Sequence, residues 1–262
     1  MRRVVLGVSY DGSAYRGWQI QKGLKTIQGE LETALHTVAS HPVSTVCAGR
    51  TDSGVHANGQ VVHFDTVSYR SGRSWIFGIN SNLSSDISVL WAQEVDRCFH
   101  ARFSAKSRRY CYLIYNRAIR PGILHKAIGW CRWPLDENRM RVAAQYFIGE
   151  HDFRSFQGKG CQSKTSTRTI FRIKISRTQH MVVIEVRGNA FLLHMVRNIV
   201  GILIDIGSGR KEPKWAEIVL KVKDFYRRTV TVSPNGLYLA DVTYPQEFNL
   251  PQTQSGPFCF SI

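Results

Sequence analysis

The sequence is short of acid. Its 262 residues carry 19 Asp and Glu against 35 Lys and Arg, a formal net charge of +16 and a pI of about 9.9. So basic a chain points to a polyanionic partner, nucleic acid or an anionic membrane surface. The few acids do not cluster, so the second carboxylate or metal site of an aspartate-dependent hydrolase has no visible place. Cysteine is sparse as well: six, at positions 47, 98, 111, 131, 161 and 259, with no CxxC pair. That spacing argues against a zinc site and a disulfide framework, and leaves reduced, mostly buried thiols as the expectation. No apolar run reaches membrane length. Met1-Arg2-Arg3 followed by Val4–Val8 imitates a signal peptide, but the run is too short and Tyr10-Asp11-Gly12 offers no small-residue cleavage site. A cytoplasmic protein is expected. What is present is a globular balance, 43% hydrophobic and 21% charged, in a length that suits one large domain or two ordinary ones.

The most informative stretch is Cys47–Phe64, CAGRTDSGVHANGQVVHF. The apolar runs at its two ends read as strands. Between them Gly49, Gly54 and Gly59 permit turns, and a single carboxylate, Asp52, stands two residues after Arg50. An isolated Asp-X-Gly is usually turn chemistry. Here the nearby Arg and the length of the stretch favour an acid presented on a loop for reaction.

Before this stretch, Val4, Leu6 and Val8 alternate as a strand ending at Asp11-Gly12. Ser13–Gln19 is an aromatic, polar loop that either stacks on bases or packs over a sheet edge. Ile27, Leu31, Ala34, Leu35 and Val38 predict a helix over 27–39, and further elements are expected as a helix over 71–82 and a strand over Ile87–Val95. That order is the order of a ferredoxin-like unit.

Residues 97–116 interleave Arg97, His100, Arg102, Lys106, Arg108 and Arg109 with Phe99, Phe103, Tyr110 and Tyr112. Cations beside stacking platforms suit a nucleic-acid groove; the alternative is a solvated basic strand edge. A domain boundary is expected within 97–107, dividing the chain into 1–103 and 104–262. The second part begins with a helix over 135–148, then a loop, His151–Phe156, and a basic loop, 157–168, with Lys159, Lys164 and Arg168. The basic loop either grips phosphates or is merely solvated. His151 beside Asp152 is no metal pair, since adjacent residues rarely converge on one ion. Strands follow around 171–175 and 182–187, and then a helix to about 206 that puts His194, Arg197 and Gly201 on one stripe. A short helix over 213–223 and a strand over 236–242 are also expected. The tail 245–262 carries no assignment.

GRTDSGVHA resembles the catalytic loop of the tRNA pseudouridine synthase A family, whose pattern is close to GRTDAGVHA; Ser53 stands where Ala is usual. FHARFSA with RRYCYLIYN, HDFRSF, FLLHMVRNIVG and GLYLADV resemble further family elements in the family's order, so the resemblance runs from residue 3 to about 245. It implies an α+β fold: two ferredoxin-like (RRM-like) halves forming one extended, mainly antiparallel sheet flanked by helices, with a basic cleft between them. It implies a homodimer, no metal or organic cofactor, and isomerisation of uridine to pseudouridine at positions 38, 39 and 40 of the tRNA anticodon stem-loop. Asp52 is then the catalytic carboxylate. Arg50 and Arg197 favour its ionised form, Arg197 by reaching it, and Tyr110 contacts the target base. His56, Phe153, Phe156, Arg102, Arg108, Arg109, Arg168 and His194 complete the expected substrate-binding set.

Overall fold

The computed structural model describes residues 1–222 and 230–251. In chain order its elements are β1 (Arg2–Tyr10), α1 (Ile27–Ala39), β2 (Thr45–Cys47), β3 (His56–Thr66), α2 (Gly72–Asn80), β4 (Ile87–Val95), β5 (Ser107–Asn116), β6 (Gly129–Cys131), α3 (Glu137–Gln145), β7 (Gly149–Asp152), β8 (Thr167–Thr178), β9 (Met181–Gly188), α4 (Met195–Gly207), α5 (Trp215–Val222) and β10 (Leu237–Thr243). They belong to two compact units. Among the described residues the first takes Met1–Arg108 and those from Tyr238 to Pro251, the second those from Arg109 to Leu237. The division thus falls after Arg108, beyond the expected 103, and β10 belongs with the first unit although its place in the sequence puts it in the second half. The reason is pairing: β10 lies parallel to β3, Tyr238 opposite His56.

In the first unit β1 is the centre. It pairs antiparallel with β3, Leu6 opposite Val62, and with β4, Leu6 opposite Ala92. Both faces of β1 are covered, so Val4, Val5, Leu6 and Val8 are all buried, where alternation alone implied one buried face. β2 pairs antiparallel with β3. The carboxylate of Glu32 on α1 accepts from the Thr45 N–H and hydroxyl at 2.7 and 2.8 Å, which ties β2 to that helix. α1 starts at a Thr26 cap and ends on Ser40 in the left-handed region. Its Ile27, Leu31, Ala34 and Leu35 are buried, as their spacing predicts. Phe64 of β3 meets Trp75 of α2 edge-on at 5.3 Å.

In the second unit the order is β5-β9-β8-β7, with the short β6 parallel to β5. β8 pairs antiparallel with both β7 and β9. α3 packs on β8 and on α4. Gly149–Asp152, expected as the end of a helix and the start of a loop, is strand β7, held by His151 opposite Arg168. β6 has no counterpart among the sequence expectations; three residues carry no readable period. α4 begins at Met195, since His194 has φ +61° and breaks the helical repeat. The stripe through His194, Arg197 and Gly201 therefore fails at its first member. Residue 223 and the tail beyond 251 lie outside the described residues.

Candidate active site

Asp52 lies on the connection from β2 to β3, and neighbours fix the backbone of that connection. The Ala48 N–H donates to the Val61 carbonyl at 2.8 Å. The Gly49 carbonyl accepts from Gln60 Nε2 at 2.7 Å. The Thr51 hydroxyl is 2.8 Å from the Tyr10 hydroxyl, and the Thr51 carbonyl accepts from the Trp18 N–H at 3.0 Å. The Val55 N–H donates to the Asp52 carbonyl at 3.1 Å, closing a turn with Gly54 at φ +78°. Ser53 Oγ donates to the Tyr15 carbonyl at 3.1 Å. The turn thus holds Asp52 half-buried beside an exposed Arg50. A carboxylate on a backbone so fastened is preorganised. Gly59, expected in a turn, is within β3, where an added Cβ would lie 2.3 Å from the Ala240 carbonyl oxygen.

The Ser13–Gln19 loop serves by packing. Tyr15 and Trp18 are buried, and the Tyr15 hydroxyl donates to Asp86 at 2.6 Å, so base stacking by these rings is ruled out. Gly12 meets the Asp52 connection directly: a Cβ there would be 1.9 Å from the Val55 carbonyl oxygen. His56 also faces inward. Its ring is 2% exposed, stacks on Tyr238 at 4.7 Å, and sets Nδ1 3.2 Å from the Gly12 nitrogen and 3.1 Å from Asp11 Oδ1. A direct contact with substrate is therefore corrected to a contact with the fold. The His56 hydrogen bond, helped by the Ser13 N–H, holds the Asp11 carboxyl well below the usual carboxylate range. Asp11, Gly12, Tyr10, Gln60 and Tyr238 were not expected at this site; the only local signal was the Asp-Gly pair ending β1.

Of the expected basic groove, Arg102 is exposed, with its guanidinium 5.5 Å from the ring centre of Phe103. Phe103 is 75% exposed and stacks on His100 at 4.3 Å. Burial pushes the Cys47 thiol up to about 12, while Arg50 and Arg102 pull it the other way, which places both guanidiniums near the start of the Asp52 connection. Arg108 is buried. Its Nη2 donates to the Ala48 carbonyl at 3.0 Å and the Arg102 carbonyl at 2.5 Å, and its Nη1 to the Ala105 carbonyl at 3.3 Å. These bonds orient it toward backbone, so Arg108 holds the connection where an RNA contact was expected.

The second unit holds the remaining candidates. Tyr110 on β5 is 8% exposed and meets Phe191 edge-on at 5.1 Å. Arg197, in the first turn of α4, donates from Nε to the Val232 carbonyl at 2.8 Å. It also counters the effect of burial, which raises the Tyr112 hydroxyl. The His194 ring lies against Gly158, where a Cβ would come within 2.7 Å of Nδ1. Arg109 is ion-paired with Glu185 at 3.1 Å. Phe153 and Phe156 are fully buried and pack on each other at 5.6 Å, with Phe147 against Phe156 at 5.3 Å; they are core, and their assignment to substrate is corrected. Arg168 is buried too. It donates to the Thr167 carbonyl at 2.5 Å, to Thr165 Oγ1 at 3.2 Å and to Ser163 Oγ at 2.5 Å. It shapes the basic loop from inside, while Lys159 and Lys164 are exposed.

Among the described residues no three of His, Cys, Asp and Glu group as metal ligands, and no helix is long and apolar enough to cross a membrane. A model of the family described as tRNA pseudouridine synthase matches residues 7–104 and 143–245. A tRNA pseudouridine synthase A of Coxiella burnetii (strain Dugway 5J108-111) is 64% identical over 98% of this chain and 99% of its own. One of Shewanella piezotolerans is 51% identical over 97% and 98%. A solved structure of an H/ACA RNP bound to a substrate RNA containing 2'-deoxyuridine is similar over 77% of this chain and 44% of that one, at 10% identity and a TM-score of 0.36, too low to bear on the fold.

Proposed function

The chain belongs to the tRNA pseudouridine synthase family, an isomerase that converts uridine to pseudouridine in tRNA, and we propose that it acts at positions 38, 39 and 40 of the anticodon stem-loop with Asp52 as the reacting carboxylate. The N1–C1′ bond breaks, the base turns, and C5 joins C1′; C5 loses its proton and N1 ends protonated, so no atom enters or leaves. Asp52 serves by attack at C1′ or C6 or by taking a proton from C2′. Arg50 and Arg197 are the guanidiniums proposed to pair with it. Tyr110 stacks on the base and helps remove the C5 proton. A uridine in a stem is paired, so the base is flipped out first. Arg102, His194, Lys159 and Lys164 take phosphate or base contacts. The ferredoxin-like character of each half, the extended sheet, the basic cleft, the homodimer and the cytoplasmic setting belong to the same proposal.

The observation that carries this reading is the fastened Asp52 turn: its carbonyl accepts from the Val55 N–H while its side chain stays half-buried beside the exposed Arg50. The test is conversion of an anticodon-arm transcript, tritiated at C5 of uridine, by the purified protein alone. Tritium release at positions 38 to 40 is expected. Binding of the transcript without release would make the chain a non-catalytic RNA-binding module and overturn the proposal.

A further inference from the structure

We propose that His56 is a positioning residue for Asp52, acting through the Asp11–Gly12 turn. This rests on the reading of Asp52 as the reacting carboxylate. The His56 ring is buried and stacked on Tyr238, which fixes its plane. Nδ1 has a donor, the Gly12 N–H at 3.2 Å, and an acceptor, Asp11 Oδ1 at 3.1 Å. One tautomer cannot serve both: a lone pair on Nδ1 accepts from Gly12, and a proton on Nδ1 is donated to Asp11. Both partners are on the same turn, so either form of the ring fastens it. The turn in turn bears on the reacting loop. Gly12 packs so closely on the Val55 carbonyl that a Cβ there would approach within 1.9 Å, and the N–H of Val55 closes the Asp52 turn at 3.1 Å. Tyr10, just before the Asp11–Gly12 turn, meets Thr51 at 2.8 Å. Without His56 the turn keeps its Asp11 N–H bond to the Asp86 carbonyl at 2.9 Å but loses its tie to β3, and a shift of Gly12 there moves Val55 and with it the carboxylate. A displacement of about 1 Å at a reacting group costs on the order of 100-fold in rate without removing any group that touches substrate.

Two substitutions separate the latch from the packing. His56→Phe keeps a flat ring against Tyr238 but has no polar atom for the turn. His56→Asn loses the stack, yet its amide sets either an oxygen or a nitrogen where Nδ1 stood and so keeps one polar tie to the turn, from Gly12 or to Asp11. The readouts are single-turnover tritium release, transcript Kd, and thermal unfolding of each purified variant. Expected is a fall in kcat of about 30- to 100-fold for His56→Phe with Kd changed less than about twofold, and recovery to within about fivefold of the parent in His56→Asn despite a lower Tm. Full activity in a folded His56→Phe overturns the proposal, as does a loss that appears in Kd. If His56→Phe does not fold, a folded His56→Asn decides alone: a 100-fold loss there overturns the latch, and near-parental kcat upholds it. The parent and Asp52→Asn are run beside them. Release by Asp52→Asn would refute the reading of Asp52, whereas release by the parent and His56→Phe, but not by Asp52→Asn, would refute only the latch.

Discussion

The Asp52 connection in the first unit and the 153–168 segment in the second have similar compositions and use their side chains in opposite ways. Both run between strands, and both bring arginine together with glycine and hydroxyl residues. In the first, neighbours hold the backbone: Gln60 and Arg108 bond its carbonyls near the start, and Trp18 bonds the Thr51 carbonyl. Its own Asp52 and Arg50 are then half-exposed and exposed. In the second, the side chains themselves do the holding. Phe153 and Phe156 fill core, and Arg168 bonds Ser163, Thr165 and Thr167 of its own loop. In these two segments the side chains that satisfy the fold are not the ones left exposed. The contrast is tested by changing one residue at a time on each side of it.

The largest effect is expected at Asp52. Asn keeps nearly the same size and the turn, but it carries no charge and is a poor nucleophile and base. Asp52→Asn should fold, bind tRNA at least as tightly, since a negative charge near RNA is gone, and lose about three or more orders of magnitude in kcat. Release of C5 tritium beside a binding titration on the same preparation checks it. Wild-type release would end the contrast at once.

Phe156→Ala is the counterpart in the second unit. Emptying a fully buried aromatic site costs about 3–5 kcal/mol of stability, seen as a lower denaturant midpoint. The fraction still folded should bind tRNA with unchanged affinity. A variant of undiminished stability and weakened binding would return this ring to the substrate.

This division explains what was legible. The Asp52 loop could be read because its chemistry is contiguous in sequence: Arg50, Asp52 and Gly54 stand within five residues. The β1 and α1 assignments rested on periodic apolar positions and agree with the structure, as does the strand expected over Ile87–Val95. Arg108, Arg168, Phe153 and Phe156 misled because residue type does not say which atoms a side chain will meet. The carbonyl that Arg108 holds is Ala48, 60 residues earlier. β10 was assigned to the wrong unit because its partner strand, β3, precedes it by the whole second unit. His194 kept its motif but lost its helix, since apolar spacing carries no sign of a left-handed residue.

A smaller, pH-dependent effect should be confined to the first unit. His63 on β3 is buried and accepts from the Ala101 N–H at 3.1 Å. Burial first, then Arg3 and His100, lower its pKa from 6.5 to about 4. The folded state therefore resists protonation that the unfolded chain accepts. Stability from this group is complete above about pH 6.5 and is lost as pH falls toward 4. His63→Asn keeps an acceptor for Ala101 and removes the titration, so its Tm should fall less steeply across that window. Parallel Tm curves for parent and variant would assign the acid sensitivity elsewhere.

The smallest effect separates two arginines six residues apart in one motif. Arg102 is exposed beside Phe103, whereas Arg108 is bonded to three backbone carbonyls. Removing one cation from a phosphate lowers the slope of log K against log salt by about 0.7 to 0.9. Arg102→Ala should therefore weaken tRNA binding several-fold at low salt, reduce that slope by about one, and leave unfolding within about 0.5 kcal/mol of the parent. Arg108→Met should do the reverse. It leaves the carbonyl of the buried Ala48 without this donor, at about 1–3 kcal/mol, while those of the exposed Arg102 and the half-buried Ala105 can turn to water, and any change in affinity should track the folded fraction with the salt slope intact. Binding titrations across a salt series and urea unfolding of the same two proteins decide it. A reduced slope in stable Arg108→Met would mean that exposure and hydrogen-bond partners are a poor guide to which cations meet RNA, and the contrast between fastened and presented residues would fail for the charges even if it held for Asp52.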